Sequence, residues 1–371
     1  MKGRKLYMEY THGGDIYTYE GMLDFSVNIN PLGASPKVIE AAKRGITQMQ
    51  MYPDSRCGRL REALSRYLNF PKQGILAGNG AADLIYSIVF AERPSKALIV
   101  IPAFSEYKQA LQAIECHMEY YETRREDKFC IQDDFLEYLD DSLDMIFLCS
   151  PSNPVGQVIS IFLLKKIIEE CEKKKIRLVL DECFVDFLET TEQEKVTVSM
   201  AKQYRYLFIL RAFTKIHAIP GLRLGYGITS DEVLVEKIYK IRQPWGVSTP
   251  AQEAGIAALS ENERILYTKV MIKSEREWME QQLEEMGFQV MQSKVNYILF
   301  QCKYDLFELL KKKKILIRDC SNYDGLEKGW YRVAVRLPEE NQRLIQAICE
   351  ILEEKEGVQS GKMYYDTRHN V

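Results

Sequence analysis

Lys215 is the residue through which covalent chemistry can most readily be read from this sequence. It lies in Phe213-Thr214-Lys215, between the apolar run 206–210 and the turn Pro220-Gly221-Leu222-Arg223-Leu224-Gly225-Tyr226. A loop leaving the end of a buried strand is where open α/β sheets collect ligands. Partial desolvation there lowers an amine's pKa and makes it a nucleophile toward an aldehyde, the task of a Schiff-base lysine. A lone lysine among 50 Lys and Arg residues is ordinarily a solvated one, so other segments must carry the reading.

Asp181 follows the apolar run 178–180, which sets a carboxylate at the carboxyl edge of the same sheet. A carboxylate there raises the pKa of a pyridine nitrogen and keeps the ring an electron sink, as pyridoxal 5′-phosphate (PLP) chemistry requires. A helix N-cap or a loop ion pair is its plainer role. Ser150-Pro151-Ser152-Asn153-Pro154-Val155-Gly156 follows another strand end and brings the Asn153 amide to that edge, where it can donate to a phenolate oxygen. Two prolines and a glycine are also ordinary turn chemistry.

Gly78-Asn79-Gly80-Ala81-Ala82-Asp83 is a glycine turn running into an apolar helix. The free N–H groups and dipole of that helix start would bind a phosphate without a basic side chain. The turn lacks the Gly-Lys-Ser/Thr ending of a Walker A loop and the GxGxxG spacing of a dinucleotide fold. Thr214 and Arg223 could add a hydroxyl and a guanidinium to the same phosphate.

The elements that must position these residues alternate from about Lys96 onward. Apolar runs at 97–101, 118–121, 145–149, 178–180, 206–210 and 224–228 predict strands, with helices over 106–113 and 162–174 among those between them. That order predicts an α/β domain with a mostly parallel, doubly wound sheet. Gln243-Pro244-Trp245-Gly246 breaks the pattern, and polar helices with strands at 296–300 and 331–335 then predict a smaller α+β domain. The boundaries expected are 1–48 for an arm and part of the small domain, 49–245 for the large domain, 246–356 for the small one, and 357–371 for a loose tail.

Bulk properties narrow the partners. A chain of 371 residues with 46% hydrophobic content has ample apolar surface for two cores. A net charge of −3 gives no footprint for nucleic acid or anionic lipid, so a small molecule is the expected partner. The nine cysteines are scattered without CxxC or Cys-His clustering, which predicts reduced cytoplasmic usage and no metal site. No run approaches a membrane span, and the basic start has no apolar stretch behind it.

Taken in order, these segments resemble the fold type I PLP enzymes of the class I/II aminotransferase superfamily, along nearly the whole chain to about Glu356. The resemblance implies an aspartate aminotransferase-like fold with PLP bound to Lys215. Asp181 would pair with the ring nitrogen and Asn153 would contact the ring hydroxyl. Gly80, Ala81, Ala82, Thr214 and Arg223 would hold the cofactor phosphate. Phe104 would stack on the ring, and Tyr52 would reach the phosphate of a neighbouring subunit, implying a homodimer; for both aromatics core packing is the plainer role.

Within the superfamily, His12-Gly13-Gly14-Asp15, the arm Phe25–Gly33, Tyr52-Pro53-Asp54, Asp181–Phe184 and Tyr331–Arg336 are most similar to the threonine-phosphate decarboxylases of cobalamin biosynthesis. The histidinol-phosphate aminotransferases come next. The likeness implies decarboxylation of O-phospho-L-threonine, or a similar phosphorylated amino acid, to an amino alcohol phosphate and CO2. Transamination and a catalytically idle PLP-binding module are the alternatives. Arg332 would grip the substrate carboxylate with the arm around Asn30, and His12 would approach the substrate phosphate with Arg336 as a helper. Phe184 stands where aminotransferases usually carry a tyrosine, and Ala212 replaces a hydroxyl residue two positions before Thr214.

Overall fold

The computed structural model describes residues 12–356. The basic start and the tail expected over 357–371 lie outside the described residues. Seven strands form one sheet in the spatial order Ile75–Gly78, Gly225–Ile228, Leu207–Ala212, Arg177–Asp181, Met145–Cys149, Lys96–Ile101 and His117–Glu122. Neighbours from Leu207–Ala212 through His117–Glu122 are parallel, and Gly225–Ile228 runs antiparallel to both strands beside it.

Successive residues of each strand serve opposite faces. Leu98, Ile146, Leu148, Leu178, Leu180, Leu207 and Ile209 join one core. Ala97, Ile99, Met145, Phe147, Val179, Phe208 and Leu210 join another. Helix Ile161–Lys174 covers the first face through Leu163, Leu164, Ile167 and Ile168. Helices Ala81–Glu92 and Ser105–Gln112 cover the second through Leu84, Ile85, Ile88, Tyr107 and Leu111. A mostly parallel sheet buried on both faces is the doubly wound α/β arrangement that the alternating pattern predicts. All six expected strands of this sheet are present, with ends displaced by no more than a residue or two. Ile75–Gly78 is an addition, a run too short to read alone that is defined by pairing with Gly225–Ile228.

A smaller antiparallel sheet is ordered Arg318–Asp319, Trp330–Ala334, Tyr297–Gln301, Gln289–Met291. Helices Asn262–Glu285 and Pro338–Glu356 pack on it through Ile272, Met279, Leu283, Leu344, Ile348 and Ile351. The N-terminal arm joins this core through Phe25, while Leu23–Asp24 pairs in parallel with Ile315–Leu316.

The rest of that arm goes elsewhere. Helix Pro36–Ile46, capped by Ser35 and started by Pro36, places Val38 in the core of the large sheet with Ala251, Ala254 and Ala258 of helix Thr249–Ala258. The two helices approach closely at Gly45, where a Cβ would meet the Pro250 Cα at 2.6 Å. The described part of that segment, residues 12–48, therefore divides between two cores, and helix Thr249–Ala258 packs with the large one. No described helix is long and apolar enough to cross a membrane, and the described residues hold no cluster able to bind a metal.

Candidate active site

Asn153, Asp181 and Lys215 follow or end three adjacent parallel strands, Met145–Cys149, Arg177–Asp181 and Leu207–Ala212, at their carboxyl edge. Asp181 is buried, in register with Cys149 and Leu210. Its Oδ2 accepts from the Tyr107 hydroxyl at 2.5 Å and its Oδ1 from the Cys183 backbone N–H at 2.9 Å. Burial brings the Lys215 amine down to about 8; the Arg332 and Arg223 cations push the same way, while Cys183 and Asp181 oppose them. Lys215 Nζ stands 5.6 Å from the centre of the Phe184 ring.

The glycine turn forms a cradle at the start of helix Ala81–Glu92. Gly80 has a φ of +82°, and a Cβ there would come within 2.6 Å of Arg223 Nη2. A Cβ on Gly225 would come within 2.5 Å of the Ala81 nitrogen. The helix start, the strand and the guanidinium thus meet without room for a methyl group. The first N–H groups of the helix, at Ala81 and Ala82, have no partner within it. With Arg223 and the buried Thr214 they make a donor set suited to a dianion. Ala212, paired with Gly225, adds no hydroxyl.

Arg332 comes from the smaller sheet, on strand Trp330–Ala334. Its Nη1 donates to the Asn153 side-chain oxygen and its Nη2 to the Ser26 carbonyl at 2.9 Å. Its Nε and the Asn28 Oδ1 are buried without a hydrogen-bond partner among the described residues. Buried polar atoms are rarely left so, and a ligand would satisfy both. Phe104 precedes helix Ser105–Gln112, its ring 5.9 Å from those of Tyr107 and His12. His12 Nε2 is 3.1 Å from a Glu106 carboxylate oxygen.

Two expected substrate contacts are committed elsewhere. Asn30 donates to the Ile216 carbonyl at 2.8 Å and to Thr268 Oγ1 at 3.1 Å, and its oxygen accepts from the Leu32 N–H at 3.0 Å. Its own N–H donates to the Lys215 carbonyl at 3.1 Å, so Asn30 braces the lysine loop and has no side-chain donor left for a substrate. Arg336 donates through Nε and Nη2 to Glu340, at 3.0 and 2.9 Å, and through Nη1 to the Asp24 carbonyl at 3.0 Å. Tyr52 is exposed and stacked on Trp245, ring centres 4.5 Å apart. Asn28 and Tyr107 are additions to the site. Asn28 lies in the arm Phe25–Gly33, and Tyr107 stands three residues after Phe104.

The residues present fit PLP: a depressed amine for the aldehyde, a buried carboxylate for the ring nitrogen, and a cradle that a single Cβ would block for the phosphate. Comparison with known proteins agrees. Residues 20–348 match the model of the family described as aminotransferase class I and II. The chain is 35% identical to a threonine-phosphate decarboxylase of Salmonella typhimurium over 92% of this chain and 96% of that protein. It is 33% identical to a histidinol-phosphate aminotransferase of Methanosarcina mazei, over 88% of each. The crystal structure of the histidinol-phosphate aminotransferase from Clostridium acetobutylicum superposes with a TM-score of 0.84 at 29% identity, covering 90% of this chain and all of that one.

Proposed function

The chain belongs to the aminotransferase class I and II family, and from that premise we propose that it decarboxylates O-phospho-L-threonine or a similar phosphorylated amino acid. It is a PLP-dependent enzyme with the aspartate aminotransferase-like fold. Phe184 carries the choice of reaction: its ring faces Lys215 Nζ where aminotransferases of the family usually offer a tyrosine hydroxyl. The identity to the Salmonella decarboxylase over nearly both chains supports the same choice.

Bound PLP supplies a ring that takes up the electron pair released when a bond to the substrate Cα breaks. The protein decides which bond that is. Arg332, with a free Nε beside its bonded Nη groups, is the cation placed to hold a carboxylate, and a guanidinium does so with fixed direction. Asn28 offers a buried amide with unused capacity near Ser26, the residue whose carbonyl orients Arg332. Lys215, with a pKa near 8, can exchange a proton close to neutrality and so return one to Cα once CO2 has left. His12, anchored to Glu106 beside Phe104, is assigned to the substrate phosphate.

Transamination is the second reading, favoured by the likeness to the Clostridium aminotransferase. It would use the same residues, with Arg332 holding the carboxylate and Lys215 moving the Cα proton. Incubation with O-phospho-L-threonine, and separately with histidinol phosphate plus 2-oxoglutarate, decides between them. CO2 from the first is expected; glutamate from the second without CO2 from the first would end the decarboxylase reading. In the same proposal the enzyme is a homodimer in which Tyr52 reaches the cofactor phosphate of the neighbouring subunit, supported by its exposed position on Trp245. A monomeric sedimentation mass for the PLP-loaded protein would remove that part.

A further inference from the structure

We propose that Tyr107 is a positioning residue for the cofactor, acting through Asp181 to keep the proton on the pyridine nitrogen. The inference rests on the PLP assignment above and on Asp181 as the partner of that nitrogen.

Tyr107 is a buried tyrosine on the first turns of helix Ser105–Gln112. Its ring lies nearly parallel to Phe147, centres 4.8 Å apart at 13°, and edge-on to Phe104 at 84°. Clamped between two aromatics, the ring has little rotational freedom, and its hydroxyl is aimed at Asp181 Oδ2 at 2.5 Å. Burial first, and the Asp181 charge second, raise the Tyr107 hydroxyl well above its ordinary value, so it remains a donor at any working pH. With the Cys183 N–H on Oδ1, each carboxylate oxygen has one fixed protein donor and the plane of the group is set.

A donor to a carboxylate stabilises its charged form and lowers its affinity for a proton. A carboxylate oriented and held as such by those two donors would keep a proton on a ring nitrogen facing it. Without the hydroxyl that hold would weaken, and with it the capacity of the bound ring to accept electrons. The same arrangement links the residue stacked on the cofactor ring, Phe104, to the residue holding its nitrogen through one intervening side chain.

The test is the Tyr107→Phe variant of the PLP-loaded enzyme, which keeps the stacking and removes only the hydroxyl. A protonated ring nitrogen places positive charge near the Lys215 nitrogen and makes that nitrogen lose its own proton at lower pH. The pH midpoint of the visible cofactor band is therefore expected to rise by about one unit in the variant, the scale of one lost hydrogen bond to a charge. kcat should fall about tenfold with KM within twofold. Asp181→Asn serves as the reference and is expected to move the midpoint in the same direction. Thermal unfolding of both variants without PLP separates loss of packing from the spectral effect. A midpoint unmoved in Tyr107→Phe but moved in Asp181→Asn would overturn the Tyr107 role and leave the cofactor reading intact. A midpoint unmoved in both would overturn the Asp181 assignment and this proposal with it.

Discussion

Arg332, on the smaller sheet, donates a hydrogen bond to the side-chain oxygen of Asn153, on a loop of the larger. An arginine can only donate, so the Asn153 oxygen is turned toward it and the amide nitrogen is left to point elsewhere. The residue assigned to the substrate carboxylate thus fixes the orientation of the residue assigned to the ring hydroxyl.

Arg332→Lys should therefore do more than weaken substrate binding. One ammonium cannot reach Asn153, the Ser26 carbonyl and a carboxylate together, so the Asn153 amide loses its constraint. A fall in kcat/KM of about 10- to 100-fold is expected, the scale of one or two hydrogen bonds to a charged group, together with a shift of the cofactor absorbance before any substrate is added. An unchanged resting spectrum would show that the two residues act separately.

Lys215 sets the pH dependence of cofactor capture. Its folded pKa is depressed to about 8 by burial first, so below that pH most molecules hold a protonated, unreactive amine. The rate at which the cofactor-free protein gains the visible band should rise about tenfold per pH unit up to about 8 and level off above it. Lys215→Ala should show no covalent cofactor after borohydride reduction and a turnover loss of at least about 10²–10⁴-fold.

Asn28 and Asn30 should separate cleanly. Asn30→Ala removes two buried side-chain donors and leaves the Ile216 carbonyl and Thr268 hydroxyl one partner short, so stability should drop by about 1–3 kcal/mol in denaturant unfolding. Asn28→Ala removes an amide whose Oδ1 has no partner among the described residues, so stability should change by less than about 1 kcal/mol while KM rises. Equal destabilisation by both would contradict the division of labour.

Gly80→Ala tests the phosphate cradle. The new Cβ meets Arg223 Nη2 and the backbone is held at a φ of +82°, so the guanidinium must move or the turn must open. A weakening of PLP affinity by about 10-fold or more is expected in equilibrium dialysis, with strain of about 1–3 kcal/mol. Wild-type affinity would show that the cradle does not hold the phosphate.

The large sheet was legible because Met145–Cys149, Arg177–Asp181 and Leu207–Ala212 are apolar runs ended by a polar residue or a turn, and such runs mark buried parallel strands. Lys215, Asp181 and Asn153 follow from those ends, since position on the sheet edge is a matter of chain order. What escaped depends on contacts made far away in the chain. Nothing local distinguishes Asn28 from Asn30; Thr268 and Ile216 do so by taking the second amide's donors. Arg336 reads as a second cation near Arg332, but the strand ends at Ala334 and Glu340 lies one helical turn on, where it captures the guanidinium. The division of the N-terminal arm likewise follows from the fit of Gly45 against Pro250, a tertiary match with no periodic signature.

The Asn30 brace has a consequence for how the molecule can be taken apart. The carbonyl of Lys215 receives the N–H of a residue near the beginning of the chain, whose amide also bridges to Thr268 on helix Asn262–Glu285. An excised piece comprising 49–245 would keep the lysine, Asp181, Asn153, Thr214, Arg223 and the glycine turn, yet would lose the strut under the nucleophile. Shortening the chain from the front would remove that support from beneath the lysine while each of those side chains was still in place.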